Sequence, residues 1–91
     1  MSVSIHIPGA LRSYCGGQAT LSTSATSVRA ALTDLESRYP DVYRGVCEET
    51  GAVRRHVNLF VNMDHVRDRN GLETPLAPGD ELTILPAVSG G

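Results

Sequence analysis

The side chains able to do chemistry are few and scattered. Cys15 and Cys47 lie far apart, outside any CxxC or metal-ligand spacing. They read as two reduced thiols of a reducing compartment. His6, His56 and His65 gather no carboxylate or thiolate at ligand spacing, so no metal site is expected. Glu48-Glu49 and Arg54-Arg55 read as solvated surface, and the Tyr, Asp and Glu residues converge on no acid–base pair. An autonomous enzyme is not expected. The remaining group is the α-carboxyl of Gly91, at the end of "ELTILPAVSGG". Glycine has no Cβ, so a backbone ending in Gly90-Gly91 can thread a channel too narrow for side chains. Ala87, Val88, Ser89, Gly90 and Gly91 span at most about 17 Å when extended. That reach carries a carboxylate off a domain surface into a partner's active site.

A carboxylate acylates poorly until it is activated. ATP converts it to an acyl-adenylate, with Mg²⁺ and basic groups of a partner stabilising the phosphate charge. A sulfur nucleophile then displaces AMP and leaves a terminal thiocarboxylate. In this scheme the chain is a carrier that binds no cofactor of its own. All eight basic residues are arginine, so no side-chain amine of its own can accept the activated acyl group.

Elements must hold that terminus in place, and 91 residues suffice for one domain. The expected division is a domain over 1–86 and a flexible tail over 87–91. "VSIHI" alternates Val3, Ile5 and Ile7 against Ser4 and His6, which predicts a half-buried strand over 3–7 that Pro8-Gly9 ends. A second strand is expected over 18–23 after the Gly16-Gly17 turn, joined to the first by a connection containing Leu11 and Tyr14. Val28, Ala31, Leu32, Leu35 and Tyr39 fall on one helical face, with Thr26 or Ser27 as cap and Pro40 as stop. Residues 41–55 allow a short helical turn and a loop around Gly51. "HVNLFVN" predicts a strand with Val57, Leu59 and Val61 on its buried face; a short edge strand is expected near Val66. Pro78-Gly79-Asp80 makes a turn into a last strand running from Leu82 to Leu85 or beyond.

One amphipathic helix and one sheet each bury the stripe of the other. The fold class is α+β: a ubiquitin-like β-grasp, a mixed sheet of four to five strands covered by one main helix. A ferredoxin-like fold needs a second long helix before the last strand, and 64–79 holds too many Pro and Gly to supply one.

Composition excludes other classes. The 41% hydrophobic and 20% charged content suits a globular chain. A net charge of −2 offers no footprint for nucleic acid or an anionic membrane. No apolar run approaches the roughly 20 residues of a membrane span. "MSVSIHIPGALR" lacks the basic start and apolar stretch of a signal peptide, so a cytoplasmic location is expected.

The chain resembles the ubiquitin-like sulfur-carrier proteins of the MoaD/ThiS group over nearly its whole length. The resemblance is most specific over 57–91. It rests there on Val57, Asn58, Val61, Asn62, Arg67, Gly71, Leu72, Thr74, Leu76, Gly79, Asp80, Ile84, Pro86, Gly90 and Gly91. Pro78 departs from the acidic residue often found before Gly-Asp, which should alter only a turn. "IHIPGALRSYCGGQ" looks like the opening of the actinobacterial carrier serving a cysteine synthase, and the long 40–55 segment is similar to such carriers more than to the shorter thiazole carriers. The resemblance implies a ubiquitin-activating-enzyme-like adenylyltransferase that adenylates Gly91 and a donor that makes the thiocarboxylate. An acceptor enzyme then takes the sulfur: cysteine synthase-like, thiosugar synthase-like or the molybdopterin synthase large subunit.

A docking surface follows from strand parity. With Val57, Leu59 and Val61 inward, Phe60 faces out; with Leu82 and Ile84 inward, Leu85 faces out. If the two strands are neighbours, Phe60 and Leu85 form an apolar patch at the root of the tail, by Pro86, with His6 at its flank. Three alternatives share the same tail: a ubiquitin-like modifier joined to lysines of other proteins, the small subunit of molybdopterin synthase, and a binding module with an incidental Gly-Gly.

Overall fold

The computed structural model describes residues 2–86. The expected tail, 87–91, lies outside the described residues. Strands β1 (Val3–His6) and β2 (Thr20–Thr23) form an antiparallel hairpin. Helices α1 (Val28–Arg38) and α2 (Pro40–Val46) follow, then β3 (Val57–Val61), β4 (Asp64–His65) and β5 (Glu81–Pro86). The sheet order is β2-β1-β5-β3-β4, with β5 parallel to β1 and antiparallel to β3. This is the β-grasp arrangement: the last strand closes the middle of the sheet.

The alternations sort as period-2 strands require. Val3, Ile5, Leu21, Val57, Leu59, Val61, Leu82 and Ile84 are all buried under the helices. On α1, Val28, Ala31, Leu32 and Leu35 form the opposing buried stripe. Ser27 caps that helix, its Oγ accepting from the Ala30 N–H at 3.1 Å. Between Asp64 and Gly79 the chain makes short 3-10 turns (Val66–Asp68 and Gly71–Glu73) around buried Thr74, whose Oγ1 accepts from the Asn70 N–H and donates to the Gly71 carbonyl. The final turn holds Pro78 exposed and Gly79 at φ 92°, a conformation glycine alone adopts freely.

Three local features differ from the expectations. The connection between β1 and β2 is a seven-residue 3-10 helix, Gly9–Cys15, pinned by Arg12 Nε donating to the Ile7 carbonyl at 2.9 Å. It delays β2 to Thr20, because the Gln18 backbone N–H is turned to the Cys15 carbonyl at 3.4 Å, where the Gln18 Nε2 also donates at 2.8 Å. Pro40 both stops α1 and starts α2, since its fixed φ and missing N–H suit a first helical position. Arg54, expected on solvated surface beside Arg55, is half-buried instead. Its Nε donates to the Arg44 carbonyl at 2.7 Å, and its N–H to the Val46 carbonyl at 2.9 Å. These bonds satisfy carbonyls that the end of α2 leaves open, where a cation is also favoured.

Candidate functional site

Pro86 is the last described residue of β5 and precedes the five residues of the expected tail. The strand is held on both sides as far as Thr83 and by β3 alone from there to Pro86. Leu82 is paired with Ile5 on β1 and with Val61 on β3, and the pairing with β3 continues to Val57–Pro86. Its parity puts Leu82 and Ile84 into the core and leaves Leu85 49% exposed on the open face. Register then fixes a row across that face: Thr20, His6, Thr83, Phe60 and His65 stand side by side on five successive strands. Leu85 sits one step nearer the tail, opposite Asn58. Phe60 and Leu85 are thus diagonal neighbours, within reach of an aromatic ring, while Thr83 is the direct partner of Phe60.

Three members of the row, Phe60, His65 and His6, have side-chain partners. Phe60 is half-buried, with the His65 ring edge-on to it at 5.0 Å between centroids. His65 Nδ1 accepts from the Arg67 N–H at 3.1 Å, so Nε2 carries the ring proton and donates to Asn58 Oδ1 at 3.0 Å. The side chain of Asn58 is thereby held next to Leu85. His6 lies beyond Thr83 and faces Glu81 at 2.8 Å; both side chains are well exposed, which limits that contact to about 1 kcal/mol at most. His6 is therefore separated from Phe60 by Thr83.

The far end of β5 is fixed by Asn62 and Asp80. Asn62 takes φ 56° in the two-residue turn between β3 and β4, a conformation Asn tolerates better than most residues. Its N–H donates to the Glu81 carbonyl at 2.7 Å, its Oδ1 accepts from the Glu81 N–H, and its Nδ2 donates to Asp80 Oδ1 at 3.2 Å. Asp80 Oδ2 also accepts from the Ala77 N–H at 2.8 Å. The Ala77 N–H first, then the Asn62 amide, hold the Asp80 carboxyl below its ordinary range. Two residues of the tail-bearing half of the sequence thus act at a distance from the tail, by setting the register that delivers β5.

Parity places Thr83 on the Leu85 face from the sequence alone. His65 needed the length of the β3–β4 turn, and the Asn58–His65 bond needed the register.

The two thiols are elsewhere. Cys15 and Cys47 are both free and buried. Burial pushes the Cys47 thiol up, against a smaller opposing effect of Tyr43 and Arg54. No group of three or more His, Cys, Asp or Glu residues that could hold a metal ion occurs among the described residues. No helix among them is long and apolar enough to cross a membrane.

Comparison with known proteins agrees with this geometry. Residues 5–91 match the model of the ThiS family. The sulfur carrier protein CysO of Mycobacterium tuberculosis is 41% identical over the full length of both chains. Its crystal structure superposes with a TM-score of 0.86, covering 94% of this chain and 99% of that one. CysO of Amycolatopsis orientalis, solved in a complex with BexX, gives a TM-score of 0.88 at 37% identity over 98% of this chain and 99% of its own. Small archaeal modifier protein 3 of Haloferax volcanii is 37% identical over 71% of this chain and 70% of its own. With its β-grasp sheet and its matched length, the chain belongs to the ThiS family of ubiquitin-like sulfur-carrier proteins.

Proposed function

We propose that this carrier delivers sulfur as a thiocarboxylate on Gly91. A ubiquitin-activating-enzyme-like adenylyltransferase activates the carboxylate with ATP and Mg²⁺, a sulfur donor displaces AMP, and a separate acceptor enzyme consumes the sulfur. The chain is the co-substrate of those enzymes, and the work proceeds in the cytoplasm. The observation that carries this reading is the position of β5: it lies between β1 and β3 and carries Pro86, the residue before the last five, with half-exposed Leu85 and oriented Phe60 beside it. A partner docked on that face holds Pro86 and finds the end of the five residues that follow within at most about 17 Å. Among acceptors, a cysteine synthase-like enzyme is favoured by the 41% identity with CysO. A thiosugar synthase-like acceptor and the molybdopterin synthase large subunit use the same tail.

The test is an intact-mass spectrum of the chain from its native host, before and after a thiol-selective alkylator, with Cys15 and Cys47 changed to serine. Serine suits Cys15, whose Sγ points at the carbonyls of Arg12 and Gln18. An adduct localised to Gly91 is the expected result. An unmodified Gly91 in cells whose acceptor is deleted rejects the thiocarboxylate.

A second reading has its own support. The 37% identity with an archaeal modifier favours a chain that also joins Gly91 to lysines of other proteins. High-mass conjugates in a lysate, lost on deletion of Gly91, are its signature.

A further inference from the structure

On the helix side of the sheet, opposite the Leu85 face, an apolar groove of about 110 Å³ opens at the root of the tail. It is lined by Pro8, Ala10, Leu11, His56, Ile84 and Pro86. Gly45 of α2 keeps its end clear: a Cβ there would meet Leu11 Cδ2 at 2.5 Å and push that side chain aside. An apolar cavity of about 150 Å³ can take a benzene, so this volume has room for a three-carbon branched side chain. The described chain ends on the lip of the groove, at Pro86, and five residues follow it. On β5, Leu82 and Ile84 face the helix side. Val88 lies two residues past the lip, within about 7 Å of it. It is the one large apolar side chain among the last five residues.

We propose that this groove is a docking site for the chain's own Val88. Seated there, Val88 fastens the first part of the tail to the domain and leaves Ser89, Gly90 and Gly91 to project, a reach of at most about 10 Å instead of 17 Å. A partner whose reactive centre lies deeper must first draw Val88 out. That consequence rests on the carrier reading; the docking itself does not.

Methyl NMR of the full chain tests the docking directly. The expected result is nuclear Overhauser contacts from the Val88 methyls to Leu11 and Ile84. Val88→Ser should shift the Leu11 and Ile84 methyls, and Ala10→Glu, at an exposed position on the rim, should lower the docked population about fivefold or more. Random-coil Val88 shifts with no such contacts would overturn the proposal. So would contacts that grow with protein concentration, because a second copy would then fill the groove. Failure of the thiocarboxylate experiment leaves these outcomes unchanged. If both readings hold, Val88→Ser lowers the KM of a deep-sited activating enzyme for the carrier by a similar factor.

Discussion

Leu85→Ala is the substitution that most directly weighs the open face of the sheet. Full burial of a leucine side chain is worth about 1.5–3 kcal/mol. With Leu85 49% exposed, about half of that remains to be gained when a partner covers it. The variant should therefore lose about 0.7–1.5 kcal/mol of docking energy, a rise of about three- to tenfold in the KM of the activating enzyme for the carrier. Leu85→Asp should lose more, because docking would then desolvate a carboxylate with only Asn58 opposite it. The assay is ATP–pyrophosphate exchange at varied carrier concentration, run beside thermal denaturation. The half of the side chain already buried caps the stability cost of Leu85→Ala at about 1.5 kcal/mol, a fall of up to about 12 °C in Tm. If KM is unchanged for both variants while each remains folded, the partner does not use this face.

Other outcomes follow from the same coordinates. Asp80 has a depressed carboxyl, so its contribution to stability is full above its unfolded value near pH 4 and is lost as pH falls through the lower folded value. Asp80→Asn should flatten the fall of Tm between about pH 4 and pH 2, and parallel curves would contradict the assignment. Cys15 and Cys47 are buried, and the Cys47 thiol is pushed up. Alkylation of both at neutral pH should follow opening of the fold and accelerate in denaturant. A Cys47 that reacts at the rate of a free thiol in the native chain would show that its burial is wrongly described.

Elements with a full apolar period were legible from the residues. The α1 stripe from Val28 to Leu35 and the alternations through Leu59 and Ile84 each bury one face, and burial is what such periods encode. The 3-10 helix Gly9–Cys15 carried no such signal, because Cys15 alone of its seven residues is buried. Pro40 was legible as a stop but not as a start, since α2 is held mainly by Val42 and Val46 against the rest of the core. For the candidate site, parity placed Leu85 and Phe60 on one face. Their diagonal offset depended on the register Val57–Pro86, which neither residue announces. The groove under Pro86 is built from four separate segments, so no single stretch of sequence announces it.

The central position of β5 also makes the tail a mechanical handle. Any partner that grips the last residues pulls along the axis of β5, away from Pro86. The hydrogen bonds to β1 and β3 run across that axis, so the load falls on both ladders in shear and is shared among many bonds at once. A terminus mounted on an edge strand or a hairpin would peel one bond at a time. A pull along β5 therefore meets more resistance than the same pull on an edge strand such as β2 or β4.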